Sequence, residues 1–174
     1  MLNNLIVVIS GGAGRIGSAF SRAVVENGGK VIIGDINSEL GNRLITDLGD
    51  KNAMFFEGNL TESKTVDLMI QKATDKFGKI DAAVHCAYPV SEQWGTRFED
   101  LKSVDLEKDL FNQLGGAILF SQRMIRHFRS HGYGNLIHIS SIQGVARPKS
   151  DHYEGTDMVS PLEYSAIKAG IISI

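Results

Sequence analysis

The sequence predicts an α/β fold in which the strands of a parallel sheet alternate with helices. Short, continuous runs of apolar and mostly β-branched residues recur along the chain, which is typical of strands buried on both faces. Between these runs, apolar residues recur at helical spacing, and glycine follows several of these stripes. Strand and helix alternate five times, so we expect parallel strands joined by helical crossovers in a doubly wound sheet.

Five strands are predicted from the apolar runs. The clearest reads Leu-Ile-Val-Val-Ile at residues 5–9, where no polar residue interrupts the buried pattern. The other four runs are shorter and have the same apolar character. The predicted strands cover residues 5–9, 31–33, 53–56, 82–84 and 136–139.

Five helices are predicted from the apolar stripes that lie between and after these strands. Their apolar positions span residues 16–24, 40–48, 66–77 and 110–128, and a last stripe begins near residue 162. Gly28, Gly49 and Gly78 follow the first three stripes, at places where a helix commonly ends. Two polar stretches, residues 88–100 and 143–161, are predicted to be loops.

The composition indicates one soluble domain and excludes two kinds of partner. The 174 residues fit a single domain over residues 1–174 with room for a large core. The net charge of −2 argues against a nucleic-acid partner, and no apolar run is long enough to cross a membrane. Because Cys86 is the only cysteine and the N-terminus lacks the basic residues of a signal peptide, we expect a cytoplasmic protein.

A glycine-rich segment, Gly-Gly-Ala-Gly-Arg-Ile-Gly at residues 11–17, lies between the first predicted strand and the first predicted helix. It contains the spacing G-x-G-x-x-G, in which glycine lets the chain turn tightly and lets a pyrophosphate approach the backbone. The helix that follows offers unpaired N–H groups and its positive dipole end to the phosphates. The sequence therefore predicts a Rossmann-type dinucleotide site. Its predicted members are Gly11, Gly12, Gly14, Arg15, Ile16 and Gly17.

Asp35 ends the second predicted strand, 18 residues after Gly17. A carboxylate at this place accepts hydrogen bonds from the adenosine ribose hydroxyls of NAD and repels the extra phosphate of NADP. NAD is therefore the expected cofactor, and NADP is less favoured although Arg15 could tolerate its phosphate. The alternative is a glycine-rich turn and a helix-capping aspartate in a fold that binds no cofactor.

Tyr164 and Lys168 lie four residues apart on the last predicted helix and share one of its faces. An ammonium and a positive nicotinamide ring both favour a phenolate, so Tyr164 is the candidate acid/base. Ser140 and Ser141 end the fifth strand, at the edge where parallel sheets bind ligands, and a hydroxyl there can hold a substrate oxygen. A solvated helical pair and a serine helix cap are the alternatives. The order of glycine loop, serine and Tyr-x-x-x-Lys favours catalysis.

These residues resemble the short-chain dehydrogenase/reductase family from residue 5 to the end of the chain. The run Gly-Asn-Leu-Ile-His-Ile-Ser-Ser at residues 134–141 belongs to the resemblance, with the glycine loop, Asp35 and Tyr-x-x-x-Lys. The resemblance implies a Rossmann-type sheet of order 3-2-1-4-5 with helices on both faces, lacking the family's last strands, so we expect a C-terminal truncation. It also implies hydride transfer between NAD(P) and a secondary alcohol or ketone, with Ser141, Tyr164 and Lys168 as the catalytic trio.

The same resemblance implies further site residues and exposes departures from the family. The additional implied cofactor contacts are Ile36, Asn59, Leu60, Ala87, Tyr88, Tyr164 and Lys168. Asn59 stands where an aspartate usually reads the adenine amino group. The sequence His-Cys-Ala-Tyr at residues 85–88 replaces the family's Asn-Asn-Ala-Gly. Gln113 takes the place of the fourth catalytic residue, an asparagine in a proton relay.

An insertion separates Ser141 from Tyr164 and carries many charged and polar side chains. Such a loop suggests a small-molecule substrate rich in hydroxyl groups or carrying phosphate, such as a sugar. Residues 152–158 also resemble oxidoreductases linked to bacterial surface-sugar and flagellin-glycan synthesis. The family commonly pairs through the helices that carry Gln113 and Tyr164, so we expect a homo-oligomer.

Two other functions stay open at this stage. The altered residues 85–88 and Gln113 fit a non-catalytic NAD(H)-binding relative. The spacing Gly-x-x-Gly-x-x-Gly at residues 11–17 resembles the family's extended branch and fits an NAD-assisted sugar epimerase or dehydratase. No metal is expected, because His85 has only its neighbour Cys86, and the pair His127 and His131 has no carboxylate beside it.

Overall fold

The computed structural model describes all 174 residues except the side chain of Ser150. The strands are β1 (Ile6–Ser10), β2 (Lys30–Asp35), β3 (Ala53–Glu57), β4 (Ala82–His85) and β5 (Asn135–His138). The α-helices are α1 (Arg15–Glu26), α2 (Ser38–Leu48), α3 (Ser63–Phe77), α4 (Ser103–Asp109), α5 (Gly116–His131) and α6 (Leu162–Ser173).

The five strands form one sheet in the order β3-β2-β1-β4-β5. The pairs β1–β2, β1–β4 and β2–β3 are parallel. The predicted fold class and strand order are therefore confirmed. β1 is the central strand, and all five of its residues are buried because its apolar side chains face helices on either side of a parallel sheet.

The residues group into two units, each described here by itself. Unit 1 comprises Met1–Ala87 and Leu119–Ile137, and unit 2 comprises Tyr88–Ile118 and His138–Ile174. The prediction of a single domain over residues 1–174 concerns the relation between these units and stays a prediction.

Unit 1 has a core built from the strands and from the apolar stripes of α3 and α5. Its buried members are Ile6, Val8, Ile32, Phe56, Leu60, Val66, Met69, Ala73, Ile80, Ala83, Phe120, Met124 and Phe128. The stripe predicted for α3 therefore faces the sheet. The stripe predicted for α5 does so only in part, because Met124 and Phe128 are buried whereas Ile118 and Ile125 are exposed. At the carboxyl end of β1, Ser10 lies opposite Gly34 of β2 and His85 of β4, so these three strands end at the same level.

The helix ends of unit 1 follow the capping residues in the sequence. α2 begins after Asn37, whose side chain accepts a hydrogen bond from the N–H of Leu40 at 2.9 Å. α3 ends at Gly78, which has a φ of 84° in the left-handed region that favours glycine. Gly49 closes α2 in the same way, with a φ of 80°. The helix ends predicted at Gly49 and Gly78 are thus confirmed.

The helix predicted from the apolar stripe at residues 110–128 is longer and less regular than the sequence indicated. It begins with α4, where Val104 and Leu106 are the only apolar side chains and leave no stripe to detect. A π-helical segment, Leu110–Gly115, then joins α4 to α5. π turns insert an extra residue into the helical repeat and occur frequently at functional sites, so hydrophobic periodicity alone does not locate them.

Unit 2 has a smaller core, in which α6 packs against the beginning of α5. Ala117, Ile167 and Ile171 are buried there, with Trp94 and Leu114 packed against them. The predicted loops contain short 3-10 helices, at Phe98–Asp100, Ile142–Gly144 and Ser150–Tyr153. In the described part of the chain, no helix is long and apolar enough to span a lipid bilayer.

Candidate active site

Three glycines of the loop between β1 and α1 are required by the packing of unit 1. Gly11 has a φ of 65°, and a Cβ there would lie 2.8 Å from the backbone of Ala87. A Cβ on Gly12 would lie 2.8 Å from the carbonyl oxygen of Ile9. A Cβ on Gly17 would lie 2.7 Å from the Cα of Gly12. Backbone atoms cannot move aside cheaply, so the fold itself excludes larger residues at these positions.

Gly14 differs, because the fold does not require a glycine there. Its φ of −71° and ψ of 177° are accessible to any residue. It is exposed, and a Cβ would find only the carbonyl oxygen of Gly11 within 4 Å, at 3.3 Å. Gly14 is the N-cap of α1, where glycine is only modestly favoured, and its backbone is open to a ligand from outside the fold. The loop therefore fits the pyrophosphate of a dinucleotide.

The N-terminus of α1 is open, whereas that of α2 is closed. α1 has no side-chain cap and no acidic residue in its first turn, and Arg15 and Ile16 are exposed. α2 has Asn37 as a cap and Glu39 in its first turn. The first N–H groups of a helix have no partner within it and favour an anion, so α1 complements the glycine loop as a phosphate site.

Asp35 is held at the end of β2 by two backbone amides. Its Oδ2 accepts from the N–H of Ala13 and its Oδ1 from the N–H of Asn37, each at 3.0 Å. Both oxygens retain a lone pair, so the carboxylate can still accept hydrogen bonds from ribose hydroxyls. Ile36 follows and is 70% exposed, which leaves an apolar surface beside this carboxylate.

Two residues predicted to contact the cofactor have structural roles in unit 1. The Oδ1 of Asn59 accepts from both the N–H and the hydroxyl of Thr61, and its Nδ2 donates to Glu62. An adenine would compete with the start of α3 for this oxygen. Leu60 is a buried member of the core. Their assignment as cofactor contacts stays a prediction, and hydrophobic patterning could have placed Leu60 in the core.

In unit 2, Lys168 lies beside the phenol ring of Tyr164 on α6. Its Nζ is 5.6 Å from the centre of that ring and donates to the carbonyl oxygen of Ile139 at 2.9 Å. Lys168 is buried. Burial lowers the pKa of His138, and the positive charge of Lys168 lowers it further. The structure thus brings together the predicted phenol and ammonium.

The two serines after β5 have different roles. The hydroxyl of Ser140 donates to the carbonyl oxygen of Lys168 at 2.8 Å and so attaches this segment to α6. The Oγ of Ser141 accepts from the N–H of Gln143 at 3.2 Å. Among the described residues, neither the Ser141 hydroxyl nor the Tyr164 hydroxyl donates to an acceptor. The protons of these two hydroxyls are therefore not donated within the described structure, and the assignment of Ser141 rather than Ser140 as the catalytic serine stays a prediction.

Gln113 is buried in the π-helical segment, with 2% of its surface exposed. Its Nε2 and Oε1 both lack a hydrogen-bond partner among the described residues. Buried amides in native proteins are nearly always satisfied, and ordered water is the usual partner where protein groups are missing. The Gln113 amide therefore fits a buried water, as its predicted place in a proton relay requires.

Gln143 is a site residue that sequence reasoning missed. Its Oε1 accepts from the hydroxyls of Ser160 and Ser165, at 2.9 and 3.4 Å, and its Nε2 donates to the hydroxyl of Tyr153 at 3.4 Å. It therefore ties the insertion to the segment that carries Ser141. No local motif marks this role, because the partners lie 10, 17 and 22 residues away.

Tyr88 and Trp94 surround the phenol ring of Tyr164. The ring of Tyr88 lies 5.7 Å from that of Tyr164 and 5.5 Å from that of Trp94, and Trp94 lies 6.2 Å from Tyr164. All three pairs meet edge to face, the geometry that aromatic rings prefer. Trp94 thus belongs to the surroundings of the candidate catalytic phenol.

The histidines do not form a metal centre. His85 is buried and packs against Phe120, with ring centres 5.2 Å apart. The rings of His127 and His131 are 4.2 Å apart, and a ring nitrogen of His131 lies 2.8 Å from the carbonyl oxygen of His127. Over the described residues, no group of three His, Cys, Asp or Glu side chains could hold a metal ion.

A parallel sheet with a glycine loop, together with a Ser, Tyr and Lys set, defines the class of nicotinamide-dependent oxidoreductases. The chain matches the family described as "short chain dehydrogenase" over residues 5–174 and belongs to that family.

Several known proteins are similar to this chain over nearly its whole length. The Post-translational flagellin modification protein A of Campylobacter coli is 38% identical over 175 residues, which cover 98% of this chain and 68% of that protein. The 7alpha-hydroxysteroid dehydrogenase of Bacteroides fragilis is 28% identical, with 98% and 63% covered. The crystal structure of gox2181 superposes with a TM-score of 0.83 at 23% identity, with 98% and 63% covered, which supports the fold. The chain thus spans about two thirds of these proteins' lengths.

Proposed function

We propose that this chain is the nucleotide-binding and catalytic part of an oxidoreductase that moves a hydride between a nicotinamide and a secondary alcohol or ketone. The observation that carries the proposal is the set of Ser141, Tyr164 and Lys168 within unit 2, in which the first two hydroxyls donate to no acceptor among the described residues. The single cysteine supports a cytoplasmic location.

Each residue of the catalytic set has a distinct role in this reaction. The bound nicotinamide supplies or accepts the hydride. The phenol oxygen of Tyr164 donates a proton to the carbonyl oxygen of a ketone, or takes the proton of an alcohol. The ammonium of Lys168 favours the phenolate, and the hydroxyl of Ser141 orients the substrate oxygen. The amide of Gln113 binds a water through which the proton exchanges with solvent.

Asp35 favours NAD over NADP. Its carboxylate is fixed by the amides of Ala13 and Asn37, so it cannot turn away from a phosphate on the adjacent ribose without losing two hydrogen bonds. We expect NADH to bind about tenfold or more tightly than NADPH. Equal affinities in a fluorescence titration would contradict this assignment.

A sugar-like substrate is supported by the insertion and by one relative. Arg147, Lys149, Asp151 and Asp157 all lie exposed on the insertion, and such side chains suit a ligand with many hydroxyl or phosphate groups. The similar protein of Campylobacter coli is named for the modification of flagellin. We therefore expect nucleotide-activated sugars to be better substrates than steroid alcohols.

A second copy of this chain is the proposed partner. Val104, Phe111 and Ile118 recur every seven residues from α4 to α5 and are 64%, 60% and 46% exposed. On α6, Leu162 and Ile172 are 57% and 51% exposed. These exposed apolar residues lie on the helical segments that carry Gln113 and Tyr164. They support pairing of two copies of the chain through those segments. Light scattering should give at least a dimer, and Phe111→Glu should shift it towards monomer.

The experiment for the proposed function separates cofactor binding from catalysis. NADH fluorescence measures binding, and NADH absorbance measures turnover with a panel of nucleotide-activated sugars and a hydroxysteroid. Tyr164→Phe should keep NADH binding and lower turnover by about 100-fold or more. Tyr133→Phe, at an exposed tyrosine of unit 1 that belongs to no predicted site, is the matched control and should change little. Unchanged turnover in Tyr164→Phe would refute the catalytic assignment, and binding without turnover by the parent chain would favour the non-catalytic alternative.

A further inference from the structure

The segment that carries Tyr88 is anchored at two points within unit 2. Asp109, buried with 1% of its surface exposed, accepts from the N–H of Ser91 at 2.6 Å and from its hydroxyl at 2.7 Å. Hydrogen bonds to a charged carboxylate are short and strong. Trp94 packs on the core formed by Ala117, Ile167 and Ile171. Tyr88 therefore stands on a segment with little freedom to move.

This segment places the Tyr88 ring in contact with both members of the catalytic pair. The Nζ of Lys168 lies 5.4 Å from the centre of the Tyr88 ring and 5.6 Å from the centre of the Tyr164 ring. The two ring centres are 5.7 Å apart. The three groups thus form a triangle with nearly equal sides, and both distances from the ammonium lie within the range of cation–π attraction.

The hydroxyl of Tyr88 stays protonated in these surroundings. Burial raises the pKa of Tyr88, and the neighbouring Tyr164 and the carboxylates of Asp109 and Glu163 raise it further, against an opposing hydrogen bond from Trp94. A neutral phenol presents a negative ring face to the Lys168 ammonium. Tyr88 consequently attracts the cation without neutralising it by a charge of its own.

We propose that Tyr88 is a positioning residue, whose ring holds the Lys168 ammonium against the Tyr164 phenol. The inference rests on the proposed function, in which Lys168 favours the Tyr164 phenolate. The family resemblance places a glycine at the position of Tyr88. The contact between this ring and Lys168 therefore depends on a side chain that the family pattern lacks. Removing the Tyr88 ring takes away one of the two aromatic rings beside the Lys168 ammonium and keeps its hydrogen bond to the Ile139 carbonyl oxygen.

The single tryptophan makes this inference testable without a substrate. A phenolate close to an indole quenches its fluorescence, and Trp94, the only tryptophan, lies 6.2 Å from the Tyr164 ring. An alkaline titration of Trp94 emission therefore follows the ionisation of Tyr164, and Tyr164→Phe identifies the step by removing it. Tyr88→Leu removes the ring, whereas Tyr88→Phe keeps the ring and removes only the hydroxyl.

In Tyr88→Leu we expect the midpoint of the Tyr164-dependent step to rise by about 0.5 to 1 pH unit, a three- to tenfold change in the ionisation constant. In Tyr88→Phe the midpoint should stay within about 0.2 pH unit of the parent, since a phenyl ring attracts a cation almost as well. Circular dichroism and thermal melts verify folding. If Tyr88→Leu does not fold, Tyr88→Met replaces it as a long side chain without a ring.

Three results would overturn the inference: an unchanged midpoint in the ringless variant, an equal rise in Tyr88→Phe, or no Tyr164-dependent step in the parent chain. NADH binding is measured separately on the same samples. A midpoint shift without turnover would leave the positioning role of Tyr88 intact and refute the proposed catalysis. Turnover without a midpoint shift would support the proposed catalysis and refute the positioning role of Tyr88.

Discussion

The two units of this chain use their candidate functional residues in opposite ways. In unit 1, the loop glycines and Asp35 are part of the packing and hydrogen bonding of the fold, and Gly14 is the exception. In unit 2, the hydroxyl protons of Ser141 and Tyr164 and the amide of Gln113 have no hydrogen-bond partner among the described residues. Substitutions at the site should therefore cost stability in unit 1 and spare it in unit 2.

Gly17→Ala should have the largest effect on stability. The added methyl would lie 2.7 Å from the Cα of Gly12 and still closer to the carbonyl oxygen of Gly11, and neither backbone atom can move without displacing the loop. We expect the free energy of unfolding to fall by about 3 kcal/mol or more, measured by urea denaturation. A loss below about 1 kcal/mol would show that the loop is not packed as tightly as described.

Asp81→Asn tests a carboxylate of unit 1 that serves the fold alone. Asp81 accepts from the N–H of Ile6 at 2.7 Å and from Lys79 at 2.8 Å. Burial alone would raise the pKa of Asp81, but hydrogen bonds from Lys79, the Ile6 amide and Tyr133 outweigh burial and lower it. We expect the variant to lose about 2 kcal/mol of stability at neutral pH in urea denaturation.

The pH dependence of this loss follows from the direction of the shift. A carboxyl group whose pKa is lower in the folded state contributes its full stability above its unfolded pKa of about 3.9. That contribution disappears as the pH falls through the lower folded value. The difference between Asp81→Asn and the parent should therefore be constant above about pH 5 and shrink below about pH 4. Asp75→Asn, at an exposed position of α3, is the control and should show neither effect.

The fold of this chain is largely readable from the sequence, because the decisive interactions repeat a short-range pattern. The run at residues 5–9 predicted β1, and Gly49 and Gly78 predicted the ends of α2 and α3. Parallel strands buried on both faces and glycine in the left-handed region leave local signatures. The π-helical segment left none, since its extra residue breaks the periodicity on which such predictions depend.

The residues of the candidate site could be predicted from the sequence only where they belong to a motif. The glycine loop, Asp35 and Tyr-x-x-x-Lys have fixed spacings. Within unit 1 Asp35 contacts the loop, and within unit 2 Lys168 lies beside Tyr164. Gln143 and the anchoring of Ser91 by Asp109 are contacts between residues far apart in sequence. The engagement of Asn59 by Thr61 was missed for another reason, because a local cap and a ligand contact use the same oxygen.

Gln113→Met tests whether the buried amide of Gln113 lowers the stability of unit 2. Methionine has a similar volume and removes the buried amide, whose two polar atoms have no partner among the described residues. We expect the free energy of unfolding to rise by about 1 kcal/mol, because desolvating the amide costs more than one exchangeable water returns. Gln122→Met, the same change at an exposed position of α5, should have an effect below about 0.5 kcal/mol. A loss of stability in Gln113→Met would instead mean that the amide binds an internal water firmly enough to support the fold.

Gly14→Ala should have the smallest effect on stability and yet a clear effect on the cofactor. Gly14 has an ordinary backbone conformation, and a methyl group would have one near neighbour, 3.3 Å away. The close contact and the poorer helix cap destabilise the variant, whereas the lower entropy of its unfolded chain stabilises it. The free energy of unfolding should therefore change by less than about 1 kcal/mol. NADH affinity should fall by about tenfold or more, because the methyl group occupies the space where phosphate approaches the backbone. Gly17→Ala is expected to affect NADH binding through the disturbed fold, so it does not locate the cofactor. Loss of NADH binding by a stably folded Gly14→Ala variant would locate the cofactor phosphate at this loop. Undiminished binding would show that the phosphate does not bind there.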